Sequence, residues 1–210
     1  MRAPLLHTYT TATTTRVGFL ENWWTHPDHD DEFWADENQR DSLDTYACPV
    51  LVQSGWYDLF VESSIDQYER LAARGADVRL TVGPWTHATF TRATRRLLAE
   101  AADFLHEAYG SQAPRSAPPV RLLDARTAQL TELASWPLAS DAEDHHLAAS
   151  TLQRNPASPN ERPTPFTYDP ASPTPQIGGA LLERGGGPVD NADLERRDDV
   201  ITFDTPPFTA

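Results

Sequence analysis

Lysine is absent from this 210-residue chain, so all 17 of its basic residues are arginine. Without an ε-amino group there is no Schiff-base chemistry, no pyridoxal phosphate attachment and no phosphate-binding lysine of a P-loop. Cysteine occurs once, at Cys48, which excludes an intrachain disulfide and a thiolate metal cage. Its place in the apolar run Cys48-Pro49-Val50-Leu51-Val52 predicts a buried small hydrophobe. Positive charge is scarce as well: 17 arginines stand against 31 acidic residues, for a net charge of −14. The arginines are scattered, so nucleic acid is not an expected partner. No stretch approaches the roughly 18 apolar residues of a membrane span, and no membrane partner is expected. The start, Met1 to His7, is too short and polar for a signal peptide, which makes a cytoplasmic chain the expectation. Residues 8–15 read as a loop met midway, so a true N-terminus is expected further upstream.

What is present reads first as an α/β pattern. Aromatic and acidic residues crowd Trp23 to Trp34, where a helix is expected with rings that need a covering surface. Pro49-Val50-Leu51-Val52-Gln53 is a short, β-branched apolar run closed by Ser54-Gly55, the pattern of a buried strand. Residues 62–74 carry Ile65, Tyr68 and Leu71 at helical spacing, with Glu62 in the first turn and Gly75 after the last. Val78 to Val82 predicts a second buried strand, and strand, helix, strand within about 35 residues is a βαβ unit. A second helix is expected at 91–108, with Leu97, Leu98, Ala101, Phe104, Leu105 and Ala108 on one face.

Past Gly110 the Pro-rich stretch 113–119 predicts a domain boundary. Short strands are expected beyond it at 120–124, 128–134, 145–152 and 199–204, as a β-sandwich. The proline-rich segment 155–190 is expected to lie as a long loop over a surface.

Working groups of an open α/β sheet collect at the carboxyl ends of its strands. Asp58 follows the first strand in Gly55-Trp56-Tyr57-Asp58, and His87 follows the second in Gly83-Pro84-Trp85-Thr86-His87. An aspartate beside a histidine is what a serine hydrolase uses to orient its general base. The nucleophile should precede the acid in an α/β-hydrolase, yet the sequence holds no Gly-x-Ser-x-Gly. Taken singly, Asp58 could be a helix cap and His87 a loop histidine; order and placement together favour the paired reading.

These two motifs resemble the acid and histidine motifs of the CocE/NonD serine hydrolases, the Xaa-Pro dipeptidyl-peptidase-like (peptidase S15) type that includes cocaine esterases and α-amino-acid ester hydrolases. Upstream, His26-Pro27 and Asp30-Asp31-Glu32-Phe33-Trp34 are similar to the end of that family's helical cap. Downstream, Phe166-Thr167-Tyr168-Asp169-Pro170, Gly187-Pro188-Val189-Asp190 and Arg197 to Phe203 are similar to its C-terminal jelly roll. Between them, 120–136 departs from the family pattern until Trp136-Pro137.

The resemblance implies an α/β fold: the end of a helical cap at 1–48, the C-terminal part of an α/β-hydrolase sheet at 49–112, and a partial jelly-roll β-sandwich at 113–210. It implies that Asp58 and His87 belong to a triad, and that Phe60, with Trp56 and Trp85, lines a substrate pocket. It places the serine and the oxyanion hole on an upstream half, so the chain reads as a fragment, inactive alone, whose partner is a complementing N-terminal half. Substrates would be small esters, amides or peptides, with neither metal nor organic cofactor, and oligomer contacts are left open. The metal-ligating residue types in His26-Pro27-Asp28-His29-Asp30-Asp31 are then cap structure, while His145 and His146 alternate faces of a strand and cannot share one ion. The rival reading is a non-catalytic remnant whose β-sandwich serves binding or oligomer contacts.

Overall fold

The computed structural model describes residues 11–12, 18–37, 39–89, 93–110, 118–124, 126–127, 129–156, 158, 162–182 and 184–207. The chain divides into two compact units, Met1–Ala47 and Cys48–Ala210.

In the first unit, helix α1 spans Gly18–Thr25 and a single 3-10 turn spans Glu32–Trp34. The continuous helix expected over 23–34 is therefore broken. Pro27 supplies no N–H and disfavours helical geometry at His26, and the Thr25 hydroxyl folds back on the Glu21 and Asn22 carbonyls. The chain restarts at Asp31, whose Oδ1 accepts the Phe33 N–H at 2.9 Å. The same carboxylate reaches His26 Nδ1 at 2.8 Å, and the His26 ring stacks on Phe33 with centroids 4.2 Å apart. A further 3-10 segment, Gln39–Thr45, completes the unit.

The second unit is built on a four-stranded mixed sheet of order β1-β2-β3-β4. Strand β1 (Val50–Tyr57) runs parallel to β2 (Val78–Thr86), β2 parallel to β3 (Val120–Leu123), and β3 antiparallel to β4 (Leu130–Leu133). Helix α2 (Val61–Ala73) connects β1 to β2, and α3 (Thr94–Tyr109) follows β2. Leu80, Val82 and Val120 at the sheet centre, with Tyr68 and Leu71 of α2, are almost completely buried. Among the described residues no helix is long and apolar enough to cross a membrane.

Helix α3 packs with a narrower apolar stripe than its sequence suggests. Leu97 and Phe104 are buried, whereas Leu98 and Leu105 stay exposed. Sheet-facing positions between and just beyond the buried pair go to acids, Glu100 and Glu107. Glu100 Oε1 accepts from the Thr81 hydroxyl at 2.6 Å and from Arg121 at 3.2 Å, and its Oε2 accepts from Gln53 at 2.9 Å. Glu107 pairs with Arg79 two turns further on. Gln53, Thr81, Arg121 and Glu132 are mutually in register across all four strands, so Glu100 ties three neighbouring strands with one carboxylate.

Four expectations need correction. Cys48 is exposed, because β1 begins only at Val50 and the cysteine sits in the lead-in bend. The strands near 120 and 130 extend the α/β sheet through β2, so the composition change after Gly110 does not divide one sheet from another. The Pro-rich connection itself lies largely outside the described residues. The strand expected at 145–152 is instead a hairpin of β5 (His146–Ala148) and β6 (Thr151–Gln153), turned at Ala149, whose φ is +49°; His145 stays outside it. At 199–204 only Asp204 pairs, in an isolated bridge to Thr151. A four-residue helix α4 (Ala192–Glu195) interrupts the long irregular stretch, and Trp136–Pro137 is joined by a cis peptide.

Candidate functional site

Asp58 and His87 meet where β1 and β2 end. The strands run in direct register from Val50↔Val78 to Gly55↔Gly83, then shift so that Tyr57 pairs with Thr86. Each member of that last pair is followed at once by a site residue. Asp58 is 7% exposed, and its two oxygens have separate tasks. Oδ1 accepts the Phe60 N–H at 2.9 Å in the turn that opens α2, and Oδ2 lies 3.3 Å from His87 Nδ1. Turn closure and histidine partner are thus one residue. The His87 side chain is 42% exposed, so its ring is open to an incoming group while its carboxylate partner is sheltered.

The turn carrying His87 is closed by two threonines. Thr86 N–H donates to Thr89 Oγ1 at 2.9 Å, Thr89 N–H donates to Thr86 Oγ1 at 3.1 Å, and the hydroxyl oxygens are 3.0 Å apart. A backbone bond from Thr89 N–H to the Thr86 carbonyl, 3.1 Å, completes a β-turn with His87 at its second position. Neither threonine was singled out from the sequence; the available signal was Thr-His-Ala-Thr itself, a hydroxyl residue on each side of the histidine at turn spacing.

The three aromatic candidates part company. Phe60 presents its ring edge-on to His87, centroids 5.6 Å apart, and is half exposed. Trp56 donates its indole N–H to the Leu123 carbonyl at 2.9 Å and lies 6.4 Å from Trp136, which ties it to the β3 side of the sheet. Trp85 is 7% exposed in a core cluster with Leu97 and Leu123. It also borders a cavity of about 430 Å³ with Tyr57, Thr86, Thr89 and Gly187.

In the first unit, Asp28, His29 and Asp30 bring ligand-type atoms within 4.8 Å of one another, all solvent-exposed. Beside them lies a cavity of about 930 Å³ whose walls include Trp23, Trp34, Asp30 and Glu37.

Residues 3–89 match the model of the X-Pro dipeptidyl-peptidase (S15 family). The chain is 32% identical over 212 residues to a cocaine esterase from Rhodococcus sp. (strain MB1 Bresler), an alignment covering 88% of this chain and 36% of that protein. Its fold is similar to that of a crystallised aminopeptidase from a marine sediment archaeon, Thaumarchaeota archaeon, with a TM-score of 0.72 at 19% identity over 92% of this chain and 36% of the other. It is also similar to a selenomethionine-labelled α-amino acid ester hydrolase, with a TM-score of 0.67 at 19% identity over 90% of this chain and 36% of the other. The chain thus spans little more than a third of the length of each.

Proposed function

The chain belongs to the CocE/NonD hydrolases of the peptidase S15 type, and from that premise we propose that it carries the acid and base of a serine-hydrolase centre that cleaves ester or amide bonds. The observation behind this reading is the Asp58 Oδ2 to His87 Nδ1 contact at adjacent parallel strand ends. Asp58 holds the proton on Nδ1, which leaves the Nε2 lone pair as the base. Nε2 takes the proton of a serine hydroxyl as that oxygen attacks the acyl carbon, then returns it to the departing alkoxide or amine. Water repeats the cycle on the acyl-enzyme and releases the acid.

The serine and the oxyanion donors come from outside these 210 residues, and the isolated chain does not turn over. Among the described residues β1 pairs only with β2, so its other edge is where a complementing segment adds a strand. The β5–β6 hairpin, the Thr151–Asp204 bridge and the Gly179–Gly187 bridge form part of a jelly-roll sandwich. Phe60, beside the His87 ring, lines the acyl pocket.

Hydrolysis of a chromogenic ester by the chain alone, and by the chain completed with the serine-bearing part of a close relative, tests the proposal. Activity is expected only in the completed enzyme, and His87→Ala or Asp58→Asn there should lower kcat by about three to four orders of magnitude. Full activity in the completed His87→Ala enzyme would remove the base role. Turnover by the chain alone that survives His87→Ala would require a different nucleophile.

A further inference from the structure

Two glycine-rich stretches about a hundred residues beyond His87 reach back to its turn. Gly179 and Gly187 exchange backbone hydrogen bonds of 2.7 and 2.8 Å in a bridge, and Gly186 and Gly187 lie against Thr86 of β2. Gly187 has a φ of +100°, which L side chains rarely adopt, and a Cβ there would lie 3.5 Å from Thr86 Cγ2. A Cβ at Gly186 would lie 3.0 Å from the Gly179 carbonyl oxygen and 3.3 Å from the same Thr86 methyl. The loop backbone is therefore laid almost in contact with the threonine that starts the His87 turn.

Thr86 stands between two constraints. Its methyl faces this strap, and its hydroxyl and N–H are engaged by Thr89. Its Cα is fixed by pairing with Tyr57, and it is 5% exposed. The His87 ring meets Asp58 at 3.3 Å, a long contact for a hydrogen bond, and much of it is open to solvent. A ring so weakly held by its own contacts takes its orientation from the backbone that carries it.

We propose that Thr86 and Thr89 form a clasp that sets the His87 ring against Asp58, and that the Gly179–Gly187 strap backs the clasp, which makes the C-terminal segment a positioning part of the hydrolase site. This rests on the reading of His87 as the general base. The threonines and glycines touch no reacting atom; they act through the backbone of His87. Thr89 has a role separable from folding: removing its hydroxyl leaves the Thr89 N–H to Thr86 carbonyl bond, and with it the turn, in place.

The test uses the 210-residue chain and reads the imidazole nitrogens by long-range proton–nitrogen NMR, with His87 assigned by its loss in His87→Gln. Thermal unfolding is followed in parallel. Wild-type His87 is expected mainly as the tautomer protonated on Nδ1. Thr89→Val, which keeps the shape and loses the hydroxyl, should shift the ring towards a mixture of tautomers, and Thr89→Ser should restore the wild-type signature. Gly186→Val, which pushes on Thr86 from the strap, should reproduce the Thr89→Val shift and serves if Thr89→Val does not fold. An unchanged His87 signature in the folded variants, or Thr89→Ser no better than Thr89→Val, would overturn the clasp. Asp58→Asn separates the two levels. If it alters the His87 ring while the clasp variants do not, the acid–base pair stands and the clasp falls; if it too leaves the ring unchanged, both fall.

Discussion

Tyr57 is paired with Thr86, one residue later than the register of the preceding strand positions requires. From Gly55 to Tyr57 strand β1 advances two residues, while β2 advances three from Gly83 to Thr86. Pro84 lies in that extra step and has no N–H to give the ladder, the usual setting of a bulge. The consequence is direct: without the shift Asp58 would stand opposite Thr86, and with it the next residue on each strand is one partner of the Asp58–His87 contact.

The bulge depends on two glycines that accommodate Trp85 in different ways, which separates two variants. A Cβ at Gly83 would run into the six-membered ring of the Trp85 indole at 2.1 Å, whereas a Cβ at Gly55 would meet the Trp85 backbone oxygen at 2.2 Å as well as the indole Cδ1 at 2.5 Å. Each alanine substitution should cost about 1–3 kcal/mol by overpacking. In a Trp85→Leu background the Gly83→Ala cost should fall to within about 0.5 kcal/mol of zero, while the part of the Gly55→Ala cost that comes from the Trp85 backbone persists. Denaturant unfolding of the glycine variants in both backgrounds decides this, and equal relief of both glycines would show that the bulge is not pinned by the Trp85 backbone.

The Asp58–His87 contact was legible because β1 and β2 are dominated by the parallel-sheet pattern, which brings the residues just beyond the two strands to one sheet edge. The partnership of Asp58 with His87 needs only that pattern and the order of the motifs. The bulge, the separate tasks of the two Asp58 oxygens and the clasp depend on backbone geometry that periodicity does not carry. The strands after Gly110 misled for a different reason: proline content signals a connection, and nothing local says whether the next strand opens a new sheet or, like β3, joins an existing one. Leu98 and Leu105 misled because acids at 100 and 107 can face a sheet once Arg79, Thr81 and Arg121 wait there.

Glu100 should matter more to stability than its charge suggests. Its side chain is 11% exposed, and both oxygens are occupied by groups on β1, β2 and β3. Glu100→Leu would leave the Thr81 hydroxyl and one edge of Arg121 without their acceptor, for an expected loss of about 1–3 kcal/mol. A double-mutant cycle with Thr81→Val should give a coupling of about 0.5–3 kcal/mol, since the two groups are in contact. Additive losses in urea unfolding would show that the registered row contributes nothing beyond its separate members.

The first unit carries an acid-sensitive contact. The Phe33 N–H, followed by the His26 side chain, holds the Asp31 carboxyl below its usual value of 3.8. A carboxylate depressed in the folded state stabilises it above the unfolded value, and that contribution is lost as pH falls through the folded one. The stacked His26–Phe33 pair should therefore loosen only below about pH 3.8, and Asp31→Asn should loosen it already at neutral pH. Chemical-shift changes of Phe33 across an acid titration report this, and a Phe33 transition at the same pH in Asp31→Asn would assign it to another group.

Alkaline pH tests the other end of the scale through Tyr68. Burial within the core raises its phenol above the usual value of 10, and a hydrogen bond with the Trp136 backbone offsets part of that rise. The residue is 3% exposed, so its phenolate would be formed largely out of contact with water. For a group whose folded pKa is raised, the stabilising contribution is complete below the unfolded value and is lost as pH rises through the folded one. Stability should therefore fall above about pH 10 as the unfolded chain ionises a tyrosine that the folded chain keeps neutral. Tyr68→Phe removes both the phenol and this dependence: its decline in stability above about pH 10 should become shallower than that of the wild type. Denaturant unfolding at a series of pH values, with phenolate absorbance followed in the same samples, measures both slopes. Parallel declines in the two proteins would show that Tyr68 ionises as freely in the folded chain as in the unfolded one.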